Sequence, residues 1–134
     1  MYVCRVIKSS KIKGFKKNIR DFYKKYYTKK YKNILESTSF VVVCLYNGKI
    51  VGACRVLSDL NRFAFLLDLR VSEKFQSKGI GKNIVKKIIE ECRSLKVEHI
   101  NLSTAHNEDW LVNFYKKIGF KPVSKYTHME YGKS

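Results

Sequence analysis

The sequence predicts an α/β fold: one domain, residues 1–134, with a mixed, mostly antiparallel sheet flanked by helices. Three observations predict it. Short stretches rich in Val, Ile, Phe and Tyr recur at 3–8, 40–46, 49–57 and 63–71, as strands require. Apolar residues at 14–33, 84–92 and 109–118 recur every three or four positions, as helix faces require. Finally, 134 residues make one core of ordinary size, and a split would starve both halves.

Taken in order, residues 3–8 read as a first strand. Phe15, Ile19, Phe22, Tyr23, Tyr26 and Tyr27 then mark a helix over about 14–33, opened by Gly14 and broken once. Its aromatic stripe reads as core, with edge tyrosines able to line a pocket. Residues 40–46 form a buried-type strand. Asn47-Gly48 supplies a two-residue turn needing positive φ, and 49–57 return as the partner. A turn at 58–61 leads into a strand at 63–71, completing an antiparallel meander. A polar loop and Gly79-Ile80-Gly81 then open an amphipathic helix whose core face is Ile84, Val85, Ile88, Ile89 and Cys92. A strand at 99–103 follows a helix and is expected parallel to its predecessor. A short helix at 109–118 ends at Gly119, and strands at 120–123 and 127–131 close the chain.

The formal net charge is +17, and residues 1–36 carry twelve basic side chains against Asp21 and Glu36. Such a field attracts polyanions. Lysines outnumber arginines 22 to 6, however, which suits a solvated face better than base-edge recognition. Nucleic acid is therefore an alternative partner, not the favoured one. No apolar run approaches the length of a bilayer span, so no membrane partner is expected. The first residues lack the apolar stretch and cleavage site of a secretory signal. Cys4, Cys44, Cys54 and Cys92 form no Cys-x-x-Cys and no ligand spacing with His99, His106 or His128, so no metal site is expected. These features fit a cytoplasmic, reducing setting.

The chemistry concentrates at Val71-Ser72-Glu73-Lys74-Phe75-Gln76-Ser77-Lys78-Gly79-Ile80-Gly81-Lys82. A strand ends, a loop turns and two glycines open a helix whose first N–H groups lack intrahelical acceptors. That geometry holds a phosphate or pyrophosphate. Gly81-Lys82-Asn83 lacks the Ser/Thr of a P-loop, and Ile84 stands where a dinucleotide fingerprint needs glycine.

Gln76-x-x-Gly79-x-Gly81 after a strand instead resembles motif A of the GNAT superfamily of acyl-CoA-dependent N-acetyltransferases. Phe114-Tyr115-Lys116-Lys117-Ile118-Gly119-Phe120 is similar to that family's Phe-Tyr-x-x-x-Gly-Phe. Val51-Gly52-Ala53-Cys54-Arg55-Val56-Leu57-Ser58-Asp59 is similar to a segment of a small bacterial and plant-type subgroup that includes arylalkylamine acetyltransferases. The resemblance implies a splayed central strand pair that admits the pantetheine arm of acetyl-CoA as co-substrate. Main-chain groups of Leu69, Arg70 and Val71 would meet the arm and the acetyl carbonyl. Gln76, Ser77, Lys78, Gly79, Ile80, Gly81 and Lys82 would hold the pyrophosphate, and Asn107 and Tyr115 would approach from the other side. Small members of the family are often dimers, so a homodimer is an open expectation.

Attack by an amine on a thioester needs a base to free the nitrogen lone pair and an acid for the departing thiolate. Tyr115 is the candidate acid, since a phenol of pKa about 10 stays protonated. Asp68 is the candidate base or relay, with His106 or water as alternatives and an ion pair to Arg55 or Arg70 as the structural alternative. Strict alternation places Asp68 on the face of Leu66 and Arg70, opposite Leu67, Leu69 and Val71. The implied function is transfer from acetyl-CoA to a primary amine, a small or aromatic one first and a protein amine second. The alternative is a catalytically inactive CoA-binding or basic interaction module. It rests on Leu67 replacing an acidic residue and on Asn107 standing one position off register from Tyr115.

Overall fold

The apolar stretches become strands that lie in the sheet in chain order. β1 (Tyr2–Lys8), β2 (Phe40–Tyr46), β3 (Lys49–Ser58), β4 (Phe63–Val71) and β5 (His99–Asn101) are neighbours in sequence. The first four pair antiparallel and β5 pairs parallel with β4. The helices are α1 (Ser9–Tyr23), α2 (Ile80–Ser94) and α3 (Asp109–Ile118). In this computed structural model, residues 1–27, 35–104, 108–123, 125, 127 and 129–132 are described. They fall into two units, Met1–Leu102 and Ser103–Ser134. Among the described residues, no helix is long and apolar enough to cross a membrane.

Each face of the first unit's sheet carries one helix. On one side Ile12, Ile19, Phe22 and Tyr23 of α1 pack with Ile7, Val41, Val43 and Ala53. On the other, α2 buries Ile80, Ile84, Val85, Ile88 and Cys92. Successive strand residues face opposite sides, so Gly52, next to Ala53, faces α2. A Cβ at Gly52 would lie 2.9 Å from Ile84 Cδ1 and 3.0 Å from Ile80 Cγ2. Glycine therefore sets how closely α2 approaches β3. Because Ile80 and Ile84 are themselves buried, Gly52→Ala is expected to cost roughly 1–3 kcal/mol. Urea unfolding would show this as a lower midpoint at unchanged slope. An unshifted midpoint would mean that α2 retreats freely.

The turns follow their chemistry. Asn47 and Gly48 have φ of 50° and 78°, as the two-residue hairpin demands. In the β3–β4 turn the Asp59 carboxylate accepts from the N–H groups of Asn61, Arg62 and Phe63. These bonds hold its pKa below the ordinary carboxylate value, the Phe63 N–H contributing most.

Three expectations are corrected. The first helix starts at Ser9, not Gly14, and ends at Tyr23. Among the described residues nothing lies within 4 Å of a Cβ built on Gly14, so this glycine sits on an exposed helix position. It costs the helix about 1 kcal/mol there without ending it. Residues 28–33 of the expected helix lie outside the described residues. Second, β5 stops at Asn101 rather than 103. Third, the described residues within 120–123 and 127–131 carry no strand. Pro122 lacks the N–H that a ladder needs, and Val123, Met129 and Tyr131 are exposed, so no buried face fixes a register.

The second unit is organised by α3. Gly119, at φ 127°, ends the helix. Its N–H donates to the carbonyls of Tyr115 and Lys116, and the Phe120 N–H donates to that of Tyr115. The Tyr115 ring sits edge-on to Phe120 at 5.7 Å and to Phe114 at 5.0 Å. Phe-Tyr-x-x-x-Gly-Phe is thus a helix stop with its own hydrophobic clasp.

Candidate functional site

β4 and β5 pair only at Phe63–His99, Ala64–Ile100 and Phe65–Asn101. Beyond Phe65, β4 runs on to Val71 with no strand partner on that edge among the described residues. This is the expected splayed pair: a row of main-chain donors and acceptors open to an extended ligand. Leu69, Arg70 and Val71 lie on it.

Midway along that stretch the β3–β4 ladder slips. Ala53 pairs with Arg70 and Arg55 with Leu67, so Asp68 and Leu69 together stand against Cys54. Two residues against one make a β-bulge, which frees peptide groups from the ladder and re-aims them. Asp68 occupies it at φ 58°, a left-handed conformation unusual for a residue with a side chain.

The side chains around the bulge fix it. The Tyr23 hydroxyl donates to the Asp68 carbonyl at 2.8 Å. Arg55 Nε donates to Asp68 Oδ2 at 2.7 Å, and Arg55 Nη1 donates to Thr38 Oγ1 at 2.9 Å. The neighbouring Cys54 thiol donates to the Leu67 carbonyl at 3.4 Å. Asp68 is therefore partnered by Arg55, which strict alternation did not single out. The extra residue breaks the period, and Asp68 lies with Arg55 and its cross-strand neighbour Leu67, on the face opposite Leu66. The Tyr27 hydroxyl is buried beside the Asp68 carboxylate. Burial first, and then the Asp68 carboxylate, push its pKa up. Arg70 lies over the Tyr26 ring at 5.5 Å, and Lys25 over the same ring at 5.1 Å.

From Val71 the chain enters the loop. The Ser72 N–H donates to the Val51 carbonyl, and a 3-10 turn spans Glu73–Phe75. Gln76 Nε2 folds back onto the Val71 carbonyl at 3.0 Å, so this side chain ties loop to strand end. Ser77 and Gly79 both have positive φ, 62° and 81°, on either side of Lys78. Among the described residues no side chain caps α2, and its first turn holds no acidic residue. The N–H groups of Ile80, Gly81 and Lys82 have no intrahelical acceptor. Ile80 is buried and anchors the start of α2 in the core, while Lys78 and Lys82 are exposed. Turned-out N–H groups, a helix dipole and two lysines suit a pyrophosphate.

Tyr115, on α3, is 8% exposed and is described within its own unit. Asn107 and the alternative base His106 lie outside the described residues. Burial pushes the thiols of Cys44 and Cys54 up to about 12 and that of Cys92 to about 11. All three are protonated at neutral pH and are poor nucleophiles. Sequence reasoning named Arg55 only as a partner for Asp68 and missed Tyr23 and Thr38. The place of Tyr23 in the aromatic stripe of the first helix was the available signal; Thr38 offered none.

The family model described as Acetyltransferase (GNAT) family matches residues 12–120. The uncharacterized N-acetyltransferase ycf52 of Pyropia yezoensis is 32% identical over 96 residues, which cover 69% of this chain and 53% of that protein. An uncharacterized N-acetyltransferase of Chlorobaculum tepidum is 28% identical, over 69% of this chain and 57% of that one. The chain thus spans about half the length of the curated relatives it matches. Among solved structures, a GNAT family acetyltransferase from Streptococcus pneumoniae TIGR4 has a TM-score of 0.79 at 21% identity, covering 99% of this chain and 98% of that one. An aminoglycoside acetyltransferase from an uncultured soil metagenomic sample, in complex with trehalose, has a TM-score of 0.74 at 18% identity, over 99% and 97%. At those identities the structures bear on fold alone.

Proposed function

The chain belongs to the GNAT family of acetyltransferases, and on that premise we propose that it moves an acetyl group from acetyl-CoA directly to a primary amine. One observation carries the reading. The open edge of β4, bulged at Asp68, leads through the loop at 72–79 to the start of α2, where no side chain of the described residues caps the helix. An extended arm ending in a pyrophosphate fits that sequence of main-chain groups. Leu69, Arg70 and Val71 would hold the arm, and residues 76–82 the pyrophosphate. The match at residues 12–120 supports taking the chain as a single acetyltransferase domain.

In this reading acetyl-CoA supplies the activated acyl group, and the chain supplies orientation and proton handling. Main-chain N–H groups at the bulge meet the thioester oxygen, where negative charge develops as the amine attacks. Asp68 sits on the bulge and would take the proton from the attacking amine, directly or through a water. Tyr115 would donate its phenolic proton to the departing sulfur. No cysteine is assigned a covalent role, and a cytoplasmic, reducing setting suits four free thiols.

The acceptor ranks as before: a small or aromatic amine first, a protein amine second. Tyr26 and Tyr27, just past the end of α1, give partly exposed aromatic surface close to the bulge. The test is thiol release from acetyl-CoA across a panel of aromatic amines, amino sugars, polyamines and lysine peptides. Release with aromatic or other small amines is expected. Release only with lysine peptides would reverse the ranking, and bound acetyl-CoA without release for any amine would leave an inactive CoA-binding module.

A further inference from the structure

The segment Val51-Gly52-Ala53-Cys54-Arg55-Val56-Leu57-Ser58-Asp59 has a role in this fold that phosphate binding and acid–base chemistry do not absorb. Gly52 admits α2, and Ser58 and Asp59 build the following turn. Arg55 does neither. Its side chain is 13% exposed and reaches across the ladder to Asp68, whose side chain is 24% exposed. A left-handed bulge residue is a strained conformation, and it persists only where its surroundings over-determine it. The surroundings here act on both ends of the residue. Tyr23, fully buried on α1, donates to the Asp68 carbonyl and fixes the orientation of the peptide that joins Asp68 to Leu69. Arg55 fixes the side chain at 2.7 Å, and Thr38, itself 3% exposed, helps fix Arg55.

We propose that Tyr23 and Arg55, the latter held by Thr38, are positioning residues that lock the β4 bulge at Asp68 so that its peptide N–H groups recognise the acetyl carbonyl. Neither residue touches the ligand. They act through the peptide between Asp68 and Leu69. The lock sets the difference in affinity between acetyl-CoA and CoA, while the pyrophosphate turn at 77–82 sets the affinity common to both. It also explains an arginine and an acidic residue three places before the end of β4 as a pair: each is needed to hold the other.

This rests on the acetyl-CoA reading, and calorimetric titration of the full chain with acetyl-CoA and with CoA separates the two. Tyr23→Phe deletes one oxygen and keeps the ring. Arg55→Lys keeps the charge but loses the planar fork that spans Asp68 and Thr38. Wild type is expected to bind acetyl-CoA more tightly than CoA. In each variant the acetyl-CoA affinity is expected to fall about tenfold, the scale of one lost, well-aligned hydrogen bond. Affinity for CoA should stay within about twofold, which also reports that the variants are folded. Equal weakening of both ligands would mean a merely structural role and would overturn the proposal. So would an unchanged ratio, or a wild type that binds both ligands equally. A wild type that binds neither would overturn the acetyl-CoA reading itself, and the lock with it.

Discussion

Tyr115→Phe is expected to lower acetyl transfer by about 10²–10⁴-fold, the range over which a positioned proton donor contributes. Acetyl-CoA binding should stay within about twofold. The substitution is conservative for the fold. The Tyr115 ring packs edge-on against Phe114 and Phe120, contacts a phenylalanine keeps, and its backbone carbonyl still closes the helix stop. The substitution removes the phenolic hydroxyl and with it the proton to be donated. Steady-state turnover with whichever amine the panel yields, alongside titration of acetyl-CoA, reads the two effects apart. Equal turnover in both proteins would remove Tyr115 from the acid's role. An equal fall in turnover and cofactor affinity would make it a binding residue.

Gly79→Val should weaken acetyl-CoA binding by about 10–100-fold. Gly79 adopts φ 81° at the cap of α2, and a Cβ there meets no atom of the other described residues within 4 Å. Crowding within the protein is therefore not the penalty. A β-branched residue in the left-handed region costs about 1–2 kcal/mol. Its bulk also enters the open space from which a phosphate would approach Ile80, Gly81 and Lys82. Thermal melting without ligand reports the first effect, and titration reports the second. An unchanged dissociation constant beside a lowered melting temperature would move the anion site away from this turn.

Much of the frame is legible in the sequence because it depends on local signals. Asn47-Gly48 dictates its turn, and the spacing of Ile84, Val85, Ile88 and Cys92 dictates the buried face of α2. Gly79 at the opening of α2 and Gly119 past the end of α3 mark the helix ends where they occur. Gly14 carries the same letter without that meaning, because on an exposed helix face its cost is small against the packing of Ile12, Ile19 and Phe22. The expected strands at the end of the chain rested on apolar content alone and ignored the missing donor of Pro122. The bulge was the harder case. Leu66-Leu67-Asp68-Leu69 interrupts strict alternation, but a sequence shows only that the period fails, not which residue the ladder expels. Arg55 and Asp68 are thirteen positions apart, and Tyr23 is 45 residues from Asp68, so their meeting follows from strand register and helix placement. Asn107 carries its expected role on the family resemblance alone.

The most direct test of the account is thermal melting of the protein with acetyl-CoA, with CoA and with a duplex oligonucleotide, each at low and high salt. A ligand that binds only the folded state stabilises it by about 2.7 kcal/mol at a hundredfold excess over its dissociation constant. For a chain of this size that is a shift of roughly 10 °C. A shift with acetyl-CoA that survives high salt is the expected result. The contradicting result is no shift with acetyl-CoA or CoA beside a salt-sensitive shift with the duplex, which would make this a basic binding domain on an acetyltransferase fold.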